Sequence, residues 1–371
     1  MYTVGSLFAG IGGIDKGFEL AGANIIWANE IDKNAAITYR ANFNHVLIED
    51  DIRNLSGNDM PDVDILTAGW PCVAFSVAGN RHGMKYECNE CKCHHSVTYE
   101  QYVTQVVCPN CHGHNTEAID ARGTLFFDVM RFINTKKPRA IFLENVKNLV
   151  GHDNGNTFRV IREMLEIAGY HIKYRVMNTM EYGNVPQNRE RIFIAGFRNE
   201  NDFEKFAFPN PIPLTRTIDD VLNRNVRQNE RMYYTEESQY YQMIQKAMVN
   251  RDTVYQLRRV YIRENQSNVC PTLTANMGTG GHNVPLIIDD WGYRKITPRE
   301  ALSFQGFPEN YVIPEGMANS HVYKQAGNAV TVPVIRRIAT NIITALNGQE
   351  VITLDTDLVE NVQGELELEL G

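Results

Sequence analysis

Over its first two hundred residues the chain alternates short apolar runs with amphipathic stretches, and this rhythm constrains the fold more than any other feature. TVGSLFAG (residues 3–10), IIWANEID (25–32), DVDILTAG (62–69), RAIFLENV (139–146), HIKYRVMN (171–178) and RIFIAGFR (191–198) read as strands. GIDKGFELAGA, RGTLFFDVMRFINTKK and NTFRVIREMLEIAGY carry apolar residues at helical spacing. Strands joined by such crossovers make a parallel sheet covered by helices, so the fold class is α/β, an open doubly wound sheet. Two segments break the rhythm: a cysteine-rich insert between Tyr86 and Ala118, and a polar stretch rich in Tyr and Arg from about Phe203 to Trp291. Beyond them, ITPREALSFQGFP opens a helix with Thr297 as N-cap, Pro298 at its first position and Glu300 three after the cap. VPVIRRIATNIITAL sets Ile335, Ile338 and Ile342 on one face of a helix expected to return to the first domain.

At 371 residues and 43% hydrophobic, the chain is long and apolar enough for two domains or one with large insertions, and disorder or collagen is excluded. No run of eighteen apolar residues occurs and the start has no signal-peptide pattern, so no membrane span and a cytoplasmic location are expected. The net charge of -8 does not argue against a polyanionic partner, because seven unbalanced acids lie after Ala345 and leave the body close to neutral. This tail is expected to be an edge strand with a frayed end.

LFAGIGG follows a strand and opens a helix, so its glycines allow a tight turn and close backbone approach to a ligand at a helix N-terminus. Asp15 stands where a dinucleotide fingerprint would have its third glycine, which disfavours a nicotinamide oxidoreductase. Glu30 ends the next strand, where a carboxylate can accept the ribose hydroxyls of a nucleoside. A plain turn and a solvated Glu are the competing reading. In GWPCVAFS, Cys72 follows a strand at its carboxyl end, where loop amides and nearby cations can make a thiol a nucleophile. The alternative is a small buried Cys. LENV ends another strand with Glu144, a proton donor if partly desolvated. QNRER offers Arg189 and Arg191, two apart on one side of a strand; a surface pair with Glu190 competes.

LFAGIGG, ANEID, GWPCVAFS, LENV, QNRER, ITPREALSFQGFP and YKQAGNAVTVP occur in the order and approximate spacing of the DNA cytosine-5 methyltransferases of bacteria and phages, which the chain resembles over nearly its whole length. The resemblance implies a Rossmann-like methyltransferase domain that uses S-adenosylmethionine, with a smaller target recognition domain. It implies cofactor contacts from Phe8, Gly10, Ile11, Gly12, Glu30, Ile31, Asp51, Ile52, Pro71 and Asn328. It makes Cys72 the nucleophile, Glu144 the acid, and Arg189 with Arg191 the groups that hold the target base and its loop. Val73 departs from the family, which usually has Gln after the Pro-Cys pair. The implied partner is double-stranded DNA, bound by a monomer, with a cognate restriction endonuclease acting on the same site.

Cys88-x-x-Cys91 and Cys108-x-x-Cys111 are spaced as two chelating turns of a four-thiolate zinc site, with Cys93, His94, His112 and His114 as substitute ligands and two free dithiols as the alternative. The alternation in HHSVTYEQYVTQVV is expected to form hairpin strands, completing an inserted zinc ribbon over 86–117. The ribbon interrupts what is, in the family, the mobile catalytic loop, so a metal-ordered knob riding on that loop is expected; its acids make it a poor phosphate clamp. The middle stretch interleaves Arg216, Arg224, Arg227, Arg231, Arg251 and Arg258 with tyrosines, as phosphate and base-edge contacts require, though an ordinary solvated face fits too. Its segment CPTLTANMGTGGHNVP resembles the family's recognition loop. DNA contacts are expected from Ser76, Arg81, Thr272, Leu273, Gly278, Gly280 and Gly281. The expected division is a catalytic domain over 1–200, recognition over 201–295, a return over 296–345 and an acidic tail over 346–371. Two further readings stay open: a tRNA-methylating enzyme of the same family, and a DNA-binding regulator that has lost catalysis.

Overall fold

The computed structural model describes residues 1–71, 84–97, 99–104, 106–118, 125–258, 260–265, 268–279 and 283–352. The first half contains β1 (Thr3–Leu7), α1 (Gly13–Leu20), β2 (Asn24–Glu30), α2 (Lys33–Arg40), β3 (Val46–Glu49) and β4 (Ile65–Ala68). The insert follows with β5 (Met84–Cys88), β6 (His94–Val97), α3 (Tyr99–Thr104) and β7 (Thr116–Ala118). Then come α4 (Leu125–Lys136), β8 (Ala140–Val146), α5 (Asn156–Ile167), β9 (His171–Asn178), α6 (Thr179–Tyr182), β10 (Gln187–Asn188), β11 (Glu190–Phe197) and α7 (Glu200–Lys205). The middle stretch holds α8 (Tyr241–Ala247), β12 (Tyr255–Leu257), β13 (Ile262–Glu264), β14 (Cys270–Pro271), β15 (Leu286–Asp289) and β16 (Gly292–Lys295). The chain closes with α9 (Pro298–Ser303), α10 (Asn319–Asn328) and α11 (Val332–Leu346).

Among the described residues the central sheet has seven strands in the order β3-β2-β1-β4-β8-β11-β9. Strands β1 to β4 and β8 run parallel, as their crossovers dictate, but β11 is antiparallel to both β8 and β9. The expectation of a parallel sheet is corrected at this edge. The short connection after β9 lets the chain turn back, and β11 slots between β8 and β9. All described strand ends that matter for chemistry, those of β1, β2, β4 and β8, therefore open on one side.

Helix α11 runs over 332–346 with Ile335, Ile338 and Ile342 fully buried, and it packs on α1 at Gly17, where a Cβ would sit 2.5 Å from the Ile335 side chain. By length and hydropathy the stretch Asn319–Leu346 could cross a membrane; here it comprises α10 and α11 and is 56% buried in its most apolar window. The helix at α9 has both halves of its capping box, with Thr297 accepting from the Glu300 amide and Glu300 accepting from the Thr297 amide. The middle stretch joins the body through the parallel pair β10–β14 and through one apolar cluster in which Ile218, Val254 and Leu273 meet Ile11, Tyr39 and Phe304.

The insert forms a three-stranded sheet in the order β6-β5-β7. Its second half is not the expected hairpin strand: residues 99–104 are helix α3. Tyr99, Tyr102, Val103 and Val106 recur at helical spacing as well as in rough alternation, and docking of Tyr102 and Val106 against the core favours the helix. The described part of the insert is anchored on α4, since Tyr86 and Val97 join the same apolar cluster as Phe126 and Phe127.

Candidate active site

The carboxyl ends of β1, β2, β4 and β8 surround a cavity of about 330 Å³. One wall is the turn after β1. Phe8 adopts φ 55, a left-handed conformation uncommon for a residue with a Cβ, and Gly10 and Gly12 follow at φ 58 and 78. Only glycine fits position 12, where a Cβ would come within 2.2 Å of Phe43. The turn is tied to β2 by Glu30, whose Oε2 accepts from the Gly10 amide at 2.7 Å while Oε1 accepts from the amides of Ile31 (2.9 Å) and Asp32 (2.7 Å). Burial lifts the Glu30 pKa despite these amides. One carboxylate thus fixes both loops of this wall and keeps a lone pair for a ligand hydroxyl.

The facing wall comes from β4, β8 and β11. Glu144 is 8% exposed and its Oε1 lies 3.1 Å from Arg191 Nε. Burial raises its pKa, opposed by the charges of Arg191 and Arg189. Next to it Asn145 donates from Nδ2 to the carbonyl of Trp70 at 3.0 Å, which holds the chain where it leaves β4 toward Pro71. Arg189, 2% exposed, spends its guanidinium on the carbonyls of Leu273 (2.7 Å), Gly327 (3.1 Å) and Ala329 (2.6 Å). It touches the cavity while clamping the middle stretch and the end of α10 to the sheet.

Of the expected cofactor contacts, Phe8, Gly10, Ile11, Glu30, Ile31, Pro71 and Asn328 line this cavity together with Glu144, Arg189 and Arg191. Gly12, Asp51 and Ile52 do not: Gly12 caps α1, Asp51 caps the turn Ile52–Asn54, and Ile52 is buried in the core. Cys72, Ser76, Arg81, Gly280 and Gly281 lie outside the described residues, as does the tail from 353 onward. Leu273 is 1% exposed and a Cβ on Gly278 would meet the backbone of Ser320 at 2.5 Å, so neither presents a side chain to a groove; the exposed Thr272 donates to the Asn188 carbonyl. Sequence reading missed Trp70, Lys324 and Gln325. The last two sit on α10 within YKQAGNAVTVP, a motif whose resemblance points only to Asn328. Lys324 pairs with Asp32 at 2.6 Å, and Gln325 donates to the Asn34 carbonyl at 2.9 Å, bringing α10 over the cavity.

Away from the cavity, the sulfurs of Cys88, Cys91, Cys108 and Cys111 all lie within 4.8 Å of one another. Cys88–Cys111 and Cys91–Cys108 are 3.5 and 3.6 Å apart, near the ~3.8 Å edge of a tetrahedron of sulfurs around zinc. The two turns are built alike. Lys92 and His112, each just after the second cysteine, adopt φ 57 and 58, and their amides donate to the carbonyls of Cys88 and Cys108. A fifth sulfur, Cys93, is 3.3 Å from Cys108, and with His95 makes a second possible ligand group there. Among the other substitutes, His94, His112 and His114 are exposed.

The family model for C-5 cytosine-specific DNA methylases matches residues 2–91 and 111–344, passing over the middle of the insert. The chain belongs to that family. It is 53% identical over 348 residues to the Type II methyltransferase M.Bsp6I of Bacillus sp. (strain RFL6), covering 93% of this chain and all of that relative. M.HhaI of Haemophilus parahaemolyticus is 33% identical, with 92% of this chain and 94% of the relative covered. The crystal structure of the S. pombe Dnmt2 methyltransferase shares the fold at a TM-score of 0.66 and 17% identity, covering 94% of this chain and all of that one. As a C-5 cytosine DNA methylase, the chain is an enzyme that uses S-adenosylmethionine to methylate carbon 5 of cytosine in specific DNA.

Proposed function

We propose that this methylase acts on a cytosine swung out of a short double-stranded site, through a covalent adduct between Cys72 and carbon 6 of the ring. The observation that carries the reading is one cavity with the Phe8–Gly10 turn and Glu30 on one side and Glu144, Arg191 and Pro71, the residue before Cys72, on the other. S-adenosylmethionine supplies, when bound, a methyl group on a sulfonium. Glu30 and the turn after β1 fit its nucleoside end, with Phe8, Gly10, Ile11, Ile31, Pro71 and Asn328 around it, while Asp51 and Ile52, outside the cavity lining, are read as supporting that wall.

Carbon 5 of cytosine is a weak nucleophile, so the thiolate of Cys72 adds to carbon 6 while Glu144 gives its proton to ring nitrogen 3. The ring becomes an enamine whose carbon 5 can take the methyl. Solvent then takes the carbon 5 proton as the Cys72 thiolate leaves, and ring nitrogen 3 returns its proton to Glu144, which restores the aromatic ring and the acid. Arg191 holds the Glu144 carboxyl in place, and Arg189 fixes the walls. These atoms are out of reach inside a duplex, so the base leaves the stack at a cost of a few kcal/mol that protein contacts offset.

Residues 201–295 are read as the recognition region, with DNA contacts expected from Thr272, Gly280 and Gly281 in it and from Ser76 and Arg81 in the catalytic domain. The donor set of Cys88, Cys91, Cys108 and Cys111 suits a structural zinc, held by two matching turns, which makes the insert a ribbon. A cognate endonuclease and a monomer on DNA complete the reading. A duplex with 5-fluorocytosine at the target traps the adduct: a covalent complex lost in Cys72→Ser supports the mechanism, and its absence in the wild type refutes it. Methyl transfer to tRNA in place of duplex DNA would favour the other branch of the family.

A further inference from the structure

We infer that Tyr102 and Arg131, meeting on the buried carboxylate of Asp128, form a relay through which the metal-ordered insert fixes the turn after β3 and thereby the affinity for S-adenosylmethionine. This rests on the reading of that turn, Asp51 and Ile52, as the backing of the cofactor, and gives the insert a role at that site.

Helix α3 of the insert places the Tyr102 hydroxyl 3.0 Å from both carboxylate oxygens of Asp128 on α4. Asp128 is 1% exposed, so its charge depends on its partners. Its second partner is Arg131, with Nη2 at 3.0 Å. The same Nη2 donates to the carbonyl of Ile52 at 2.8 Å, and Nη1 donates to that of Leu55 at 2.5 Å. Arg131 therefore holds both ends of the Ile52–Asn54 turn, whose cap is Asp51. Arg53 binds Asp51 through Nε at 2.9 Å and also feels the charge of Asp128.

Apolar contacts run alongside. The Tyr102 ring lies 5.4 Å from Phe127, and the neighbouring Phe126 lies 5.3 Å from Trp70, which lines the cavity. Without the Tyr102 hydroxyl, the buried carboxylate would lean more on Arg131 and draw the guanidinium off the two carbonyls. Tyr102 is thus a positioning residue. It touches no substrate, and through Asp128 and Arg131, which share one face of α4, it links helix α3 of the insert to the turn after β3.

Calorimetric titration of S-adenosylmethionine into the full-length protein tests the relay. Tyr102→Phe is expected to weaken binding about fivefold, the low end of coupling between sites, with turnover at saturating cofactor unchanged. Stripping zinc from the wild type should cause a similar loss, and stripping it from Tyr102→Phe should add almost none. Arg131→Lys, which keeps the charge but cannot reach both carbonyls, should weaken binding as well. Unaltered binding in folded Tyr102→Phe, or an equal loss on stripping both proteins, overturns the relay. Zinc content and methyl transfer to duplex DNA are read in the wild type alongside. A chain without zinc overturns both the ribbon and the relay, whereas zinc and transfer present with unchanged Tyr102→Phe binding overturn the relay alone.

Discussion

The cofactor wall and the cysteine insert reach order by opposite routes. The wall is assembled by the body itself: Glu30 gathers three backbone amides, and Ile11 and Tyr39 beneath it belong to a large apolar cluster. Among its described residues the insert has short strands, one six-residue helix and an apolar contact with α4 through Tyr86 and Val97, and its two turns bring four sulfurs within 4.8 Å of one another. A site on the first kind of scaffold waits preformed, while the second would draw its order from the zinc proposed for it.

The segment joining these regions carries the largest expected effect. Cys72→Ser should lower methyl transfer by about 10⁴-fold or more with cofactor binding intact, measured with tritiated donor and duplex DNA. A loss of cofactor binding instead would mean that the wall is not preformed. Glu144→Gln should cost about 10³-fold. If Glu144 acts as the proposed acid, wild-type turnover should fall as pH rises through its pKa, which burial raises against the charges of Arg191 and Arg189, and Glu144→Gln should lose that limb. Asp15, under the glycine turn, sharpens the comparison thermodynamically. Burial raises its pKa from 3.8 to about 6, against a hydrogen bond from Tyr39. The folded state therefore holds an extra proton between these values, and stability is lost as pH rises through that window. Asp15→Asn should remove up to about 3 kcal/mol of the difference between urea melts at pH 4 and pH 8. Chelation should speed proteolysis within 86–117 about tenfold while the body stays intact, and equal cutting of both would erase the contrast. Cys93→Ser should leave zinc content unchanged; a fall would move a ligand from the four-cysteine set to Cys93.

Local signals were legible in the sequence. Thr297, Pro298 and Glu300 announce the α9 cap because all the atoms involved lie within one turn, and the spacing of Ile335, Ile338 and Ile342 marks the buried face of α11. Pairing across the chain was not. Nothing in RIFIAGFR says that it enters between β8 and β9 against their direction, since that choice is made by partners contributed from elsewhere. Residues 99–104 fit two periods, and only their docking on α4 decides between them. The cavity residues carried by motifs were readable, but Arg189 shows the limit: its type and position pointed to the site, while its three carbonyl partners come from segments 84 to 140 residues away.

The two ends of the insert lie side by side, since β5 and β7 pair antiparallel with Cys88 opposite Thr116. A graft whose seams are neighbours can be removed by closing one tight bend, with no strand of the host sheet displaced. Such an excision would leave an ordinary hairpin where the sulfurs had been; the family pattern itself steps from residue 91 to residue 111, inside the insert. The host sheet would keep its strands, and the proposed relay from the insert would be lost with it.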